Sequence, residues 1–295
     1  VRLDRHEASA LSRLFSATVF RDFAKQARSP LFARLLSQTR IPASVSIESS
    51  VGDCFDEAFR LLRRPEFRDD YVYRSAITQK ILLGRHSLNT ATLLNEVRVG
   101  PRKADVVVLN GTSTAYEIKS ERDSLVRLRD QVSAYRRVFA AVNVVASESR
   151  LTEVLKSVPA DVGVVTLSER FRLRTEREAL NTPGRTHPTM ILEMLRLDEA
   201  EKVLAFVGRE APTLPNTLLR AELRRIYSQL NSEAVHDAMV KVLRQTRSQS
   251  VLGGFVTALP TSVRAASLSI QPTPRSRSLI VEAMNTPIDT ALSWK

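Results

Sequence analysis

The chain has 295 residues, enough for one large domain or two small ones, and its 43% hydrophobic and 26% charged content is ordinary for a globular protein. Lys and Arg outnumber Asp and Glu by 44 to 32, a formal charge of +12, which points to a polyanionic partner with nucleic acid first. One cysteine, Cys54, excludes an internal disulfide framework and a cysteine-rich zinc module and fits a reducing cytoplasm. No apolar run approaches the roughly 20 residues of a membrane span, and the N-terminal stretch has no signal-peptide core.

Residues 5–28 read as a helix, with Leu11, Leu14, Phe15, Val19 and Phe23 at three- and four-residue spacing. Ser29-Pro30 punctuates the chain before a short helix over Leu31–Leu36, and Ile41–Ser50 reads as a loop. Asp53–Arg64 is amphipathic, with Phe55, Phe59 and Leu62 inward; Arg60, Arg63 and Arg64 read as a solvated face rather than a nucleic-acid contact. A helix over Tyr71–Leu83 ends at Gly84, and strands follow at Leu94–Val99, from Asp105 to Leu109, and through Glu117-Ile118-Lys119. Next come a helix over Ser124–Phe139, a strand over Val142–Ala146, a helix over Leu151–Val158 and a strand over Val162–Leu167. The order is αβββαβαβ, an α/β class whose apolar strands suit a covered mixed sheet. Beyond Phe171 the pattern is helical: Pro188–Val207, Asn216–Leu230 and Glu233–Thr246 form a packing collar or, alternatively, a small nucleic-acid module. The expected organisation is thus a helical region over 1–70, an α/β core over 71–170, a helical region over 171–247, and a loose Pro/Ser/Thr-rich tail over 248–295.

The chemistry concentrates between Leu94 and Ser120. Asp105 heads an apolar strand, and after the turn signal Asn110-Gly111 the next strand carries Glu117 and Lys119 on one face, with Ile118 opposed. Two carboxylates can hold a hard cation such as Mg²⁺, and a neighbouring lysine can orient a water for phosphodiester hydrolysis. Strand parity sets a condition. A two-residue Asn110-Gly111 hairpin would pair Asp105 with Tyr116 and turn it away from Glu117, whereas an odd loop over Leu109-Asn110-Gly111 would pair Asp105 with Ala115 and restore the shared face. An odd loop or a bulge is therefore expected in place of the two-residue turn. On the following helix Leu125, Leu128, Val132, Tyr135 and Phe139 form an apolar stripe, with Gln131 one turn before Tyr135 and Arg127 one turn before that.

Asp105 followed by Glu117-Ile118-Lys119 resembles the signature of the PD-(D/E)xK, restriction-endonuclease-like nuclease superfamily, and Gln131-Val132-Ser133-Ala134-Tyr135 resembles its RecB-type QxxxY motif. Lys103-Ala104 stands where the superfamily's proline would be. The stretch Glu117–Tyr135 is similar to an uncharacterised bacterial group with the pattern EIKSxxDSLxRLxxQxxxY. The resemblance covers roughly residues 70–170 and implies an αβββαβ core. It implies Asp105 and Glu117 as ligands to Mg²⁺ or Mn²⁺, with the Ile118 carbonyl and Glu96 as further metal ligands and His86 competing with Glu96. Lys119 and Gln131 would join Asp105 and Glu117 as catalytic residues, and Arg127 and Tyr135 would contact nucleic acid, DNA favoured over RNA. The implied function is a metal-dependent nuclease in repair, restriction or phage defence. The alternatives are a non-catalytic nucleic-acid-binding module and a subunit that acts only with a protein partner; a homo-oligomer is also open.

Overall fold

The structure is a computed structural model that describes residues 4–295, the side chain of Asn216 excepted. The chain divides into two units: a helical one built from residues 1–84, 169–171 and 251–295, and an α/β one built from residues 85–168 and 172–250. This division cuts across the four segments expected from the sequence. The helix ahead of the first strand belongs with the N-terminal helices rather than with the sheet, and the C-terminal tail joins them too.

The helical unit begins with α1 (Arg5–Leu14), α2 (Ala17–Gln26), α3 (Pro30–Leu36), α4 (Ile41–Ser44), α5 (Val51–Leu62) and α6 (Asp70–Ile77), the last running into a π-helical turn over Thr78–Leu82. The single helix expected over 5–28 is two. The chain breaks at Phe15, whose amide turns back to the Ser12 carbonyl while its ring stacks on Tyr71 at 4.4 Å between centroids. At α5 the Ser50 hydroxyl and the Asp53 carboxylate form a reciprocal capping box, so the helix starts at Val51, two residues before Asp53, while the loop expected over Ile41–Ser50 opens with the short α4. Phe20, Phe23, Phe32 and Phe55 pack edge-on and tilted at the centre of this unit.

In the α/β unit six strands form one mixed sheet in chain order: β1 (Thr92–Val99), β2 (Arg102–Leu109), β3 (Ser113–Lys119), β4 (Ala141–Ser147), β5 (Gly163–Leu167) and β6 (Leu173–Arg177). Pairs β1–β2, β2–β3 and β5–β6 are antiparallel, and β3–β4 and β4–β5 are parallel. The parallel steps are bridged by α7 (Leu128–Arg136) and α8 (Leu151–Ser157), as parallel neighbours require. Gly163 is dictated by crowding, since a Cβ there would lie 2.0 Å from Asn143 Oδ1 and 2.8 Å from the Ala179 amide nitrogen. Strand β6 was not expected. Its residues LRTER are polar and half exposed, as an edge strand permits, and the sequence read them as the start of a helical region.

Helices α9 (Pro188–Met194), α10 (Leu197–Phe206), α11 (Asn216–Tyr227) and α12 (Ser232–Thr246) complete this unit. Val107, Leu109, Ala115, Val142, Val144 and Val164 of the sheet share one continuous core with Leu128, Val132 and Tyr135 of α7 and with apolar residues of α9–α12. The helix expected over 188–207 breaks before Leu197, where the Glu199 carboxylate reaches back 2.9 Å to the Arg196 amide. Glu199 is fully buried and also accepts hydrogen bonds from both Nε and Nη2 of Arg247 and from Thr246.

The last four helices, α13 (Gly253–Ala258), α14 (Arg264–Ser269), α15 (Pro274–Asn285) and α16 (Ile288–Leu292), belong to the helical unit. The stretch read as a loose tail is thus ordered. Helix α15 packs on α2, α16 on α3, and Trp294 meets Phe23 and Phe32 with ring centroids 6.0 and 5.9 Å apart. No helix among the described residues is long and apolar enough to cross a membrane.

Burial alone would raise the Glu199 carboxyl, but the Arg247 guanidinium and the Arg196 amide bring it down to about 2. Its stabilising contribution is therefore complete above the ordinary carboxyl value of 4.5 and lost as pH falls toward 2. Glu199→Gln is expected to destabilise the protein by roughly 3 kcal/mol at pH 7, because Arg247 is left without its buried partner. Urea unfolding of both proteins at pH 7 and pH 3 checks this: the gap should narrow at the lower pH.

Candidate active site

The β2–β3 hairpin pairs Leu109 with Ser113, Val108 with Thr114, Val107 with Ala115 and Val106 with Tyr116. Its loop is therefore Asn110-Gly111-Thr112, three residues long, with Gly111 at φ +100°, a region open essentially to glycine. The odd loop expected from parity is present, one residue later than expected. Asp105 consequently falls opposite Glu117 rather than Ala115, and the two carboxylates share a face.

The paired ladder stops at Val106–Tyr116, and the Asp105 side chain continues it. Its Oδ2 accepts a hydrogen bond from the Ile118 amide at 2.8 Å, in place of a backbone carbonyl. The carboxylate is thereby fixed against the Glu117–Lys119 strand.

Glu117 is the centre of the site. It is 2% exposed, and its two oxygens receive bonds from three side chains. Lys119 Nζ lies 2.7 Å and Gln131 Nε2 2.5 Å from Oε1, while the Tyr135 hydroxyl lies 2.9 Å from Oε2. Gln131 and Tyr135 come from α7 one turn apart, so helical spacing brings both to the same carboxylate. The Tyr135 oxygen also lies 2.7 Å from the Lys103 carbonyl, which ties α7 to β2, and Arg102 adds an ion pair to Asp130 at 3.2 Å.

Burial pushes the Glu117 carboxyl above its ordinary value, opposed by the Lys119 charge and by the bonds from Lys119, Tyr135 and Gln131. Burial also pushes the Tyr135 hydroxyl up, with the negative charges of Glu117 and Asp105 adding to it, so Asp105 acts on the same cluster. The remaining oxygen of Gln131, Oε1, is buried and has no hydrogen-bond partner.

The segment after Lys119 is braced. The Ser120 amide and hydroxyl both donate to Asp123 Oδ2, at 2.7 and 2.6 Å, and Arg150 Nη1 donates to the carbonyls of Glu121 and Asp123. The brace was not expected, although it has a local signature, a serine three residues before an aspartate, which is a recognisable turn signal.

Three expectations change. Tyr135 is fully buried, so it clamps the Glu117 carboxylate instead of contacting nucleic acid. Glu96 sits in the left-handed region at φ +53°, half exposed, with its carboxylate 2.8 Å from Lys103 Nζ. It does not complete a three-carboxylate set with Asp105 and Glu117: among the described residues no three His, Cys, Asp or Glu side chains are grouped to hold a metal. His86 bonds to Asn110 at 2.9 Å, in the hairpin loop, five residues along β2 from Asp105 or about 16 Å of strand. Arg127, by contrast, is exposed at the start of α7 and open to a ligand, while the amide of Ile118 is engaged by Asp105.

Tyr135→Phe removes the donor to Glu117 Oε2 while preserving the ring. It is expected to cost about 1.5–3 kcal/mol in urea unfolding, the range for a hydrogen bond to a charged group, and to raise the Glu117 carboxyl further. A ¹³C-carboxyl titration of labelled Glu117 in the two proteins reads the second effect.

A family model described as bacteriophage P4 protein cII matches residues 63–270. Protein cII of Enterobacteria phage P4 is 30% identical over 179 residues, which cover 58% of this chain and 65% of that protein, just under two thirds of its length. No solved structure gives a significant match. With well over half of its residues matched by the family model, the chain belongs to the bacteriophage P4 protein cII family.

Proposed function

We propose that this chain is a Mg²⁺- or Mn²⁺-dependent nuclease acting on DNA in the cytoplasm, with a PD-(D/E)xK, restriction-endonuclease-like core. One observation carries the reading: Asp105, Glu117 and Lys119 share one face of adjacent strands, and both Gln131 and Tyr135 of the QxxxY stretch bond to Glu117. The order β1, β2, β3, α7, β4 is in keeping with the βββαβ part of the core that the resemblance implies, while the helix ahead of β1 belongs to the helical unit. The donor set suits a hard divalent cation, with two carboxylates on one face and the unpartnered Gln131 Oε1 beside them as a further buried acceptor.

Asp105 and Glu117 would hold the cation, which when bound supplies Lewis acidity toward the phosphate and activates water for attack. Lys119, 2.7 Å from Glu117 Oε1, keeps a positive charge within reach of a phosphate at that carboxylate and offsets the negative charge that develops on it. Gln131 orients Glu117 through Nε2 and offers Oε1 to a water hydrogen. Tyr135 fixes the second carboxylate oxygen, and the exposed Arg127 would meet the backbone of the substrate strand.

A second reading has its own observation. Both Glu117 oxygens already have protein donors, which suits a nucleic-acid-binding module that retains the arrangement without cleaving. Incubation of the purified chain with linear, circular and single-stranded DNA and with RNA, in Mg²⁺, Mn²⁺ or EDTA, separates the two. Cleavage of DNA in either metal and none in EDTA is expected. Asp105→Asn and Lys119→Ala should each lower the rate by about a hundredfold or more, with circular dichroism unchanged and DNA affinity within a few fold. Intact substrates in every metal condition would leave the binding reading in place, and wild-type rates in both variants would overturn the assignment of cleavage to Asp105 and Lys119.

A further inference from the structure

In the helical unit, where α2 lies against α15, a cleft of about 470 Å³ opens near the C-terminal half of α2 and the first turn of α15. Arg21 and Lys25 line it from α2, one turn apart, and Arg275 lines it from α15, with Thr273 and Ser276 beside it. Ala24, Pro272 and Leu279 give it an apolar floor.

Among the described residues no aspartate or glutamate lines this cleft. Asp22, the acid next to Arg21 in the chain, is turned to the Ser29 hydroxyl at 2.7 Å. Two other cations of the same unit have acidic partners: Arg40 pairs with Glu7 and Arg60 with Glu57. Like charges one turn apart on a helix repel, and a third cation lining the same cleft adds to the positive field there. An anion in the cleft would offset that repulsion.

The donors indicate which anion. Two guanidinium groups and an ammonium supply more hydrogens than a carboxylate can accept, and guanidinium forks match phosphate oxygens in pairs. Two hydroxyls stand at the entrance of α15, where Thr273 Oγ1 lies 3.0 Å from Ser276 Oγ and caps the Ser276 amide, and the positive end of the helix dipole adds to the field. The volume exceeds that of a bare phosphate and falls in the range of small-ligand sites, about 300–1,000 Å³, leaving room for an organic group on the apolar floor. We propose that the cleft between α2 and α15 binds a phosphate ester, with its phosphate on Arg21, Lys25 and Arg275 and its organic part against Ala24, Pro272 and Leu279. The proposal is independent of the nuclease reading.

The test uses the whole chain in EDTA, so that cleavage plays no part. Two probes separate the sources of the ester: AMP, a phosphomonoester, measured by calorimetry, and a labelled oligothymidylate without terminal phosphates, a phosphodiester, measured by fluorescence anisotropy. A triple variant, Arg21→Ala, Lys25→Ala and Arg275→Ala, is compared with a control that removes the same charge from exposed positions of the same unit: Arg5→Ala, Arg34→Ala and Arg170→Ala. Arg275→Glu alone serves as a second variant, and melting temperatures report on folding. The cleft variants should bind at least one probe tenfold or more weakly, with the control within twofold of the parent. If the responding probe is the oligonucleotide, the salt dependence of the triple variant should be shallower by about 2 in log–log slope, three contacts at about 0.7 each. Loss of AMP binding identifies a monoester site; loss confined to the oligonucleotide identifies a strand-backbone site. Equal losses in the cleft and control triples for both probes, or no loss in either, would overturn the proposal.

Discussion

The site depends on keeping one carboxylate in a place that water hardly reaches. An ionised glutamate at 2% exposure is expensive unless its oxygens are hydrogen-bonded, and Glu117 meets that demand with three side chains from two elements. The demand fixes geometry in turn. Lys119 must lie two residues on in the same strand, and Gln131 and Tyr135 must lie one turn apart on a helix whose axis runs past β3. Because Tyr135 also reaches the Lys103 carbonyl, the satisfied carboxylate ties β2, β3 and α7 into one body. Partners of this kind define a unique arrangement in a way that apolar packing of the stripe Leu128, Val132 and Tyr135 would not.

Much of the site was legible in the sequence because it is local. Residues at i+2 in a strand share a face and residues at i+4 in a helix share a face, so Glu117 with Lys119 and Gln131 with Tyr135 can be paired off without coordinates. The hairpin was legible only through a contradiction. Asn-Gly is the strongest two-residue turn signal, and that turn would have separated Asp105 from Glu117; the chain forms a three-residue loop instead, with Gly111 supplying the positive φ. Register by parity was recoverable, but its offset was not, because Leu109 and Thr112 are equally able to sit inside or outside the loop.

The unread parts are those in which distant residues decide. Ser, Thr and Pro in 248–295 suggested a loose tail, yet Thr273 and the prolines there begin helices, and Trp294 finds its place among phenylalanines more than two hundred residues earlier. Strand β6 pairs along an edge, where polar side chains are tolerated and the usual alternation is weak. The break within 188–207 arises from Glu199, whose buried partners on α12 and just beyond it are invisible to a window of local periodicity. Tyr135 was correctly placed on the apolar stripe, but burial of its hydroxyl on Glu117 is a tertiary fact.

The surplus of positive charge illustrates how little a total says about a surface. Several arginines that contribute to the +12 are structural: Arg247 neutralises Glu199, Arg136 and Arg185 converge on Asp161, and Arg68 and Arg177 cap backbone carbonyls. Each is held by a partner of opposite polarity and has little left to offer a phosphate. Cations without such partners are where repulsion has been retained rather than cancelled, and retention of repulsion is a physical cost that a bound anion removes. Arg21, Lys25 and Arg275 meet that description in one cleft, and Arg127 stands exposed at the start of α7. The charge relevant to a polyanion is thus a property of a few positions, selected by which arginines the fold has not already used.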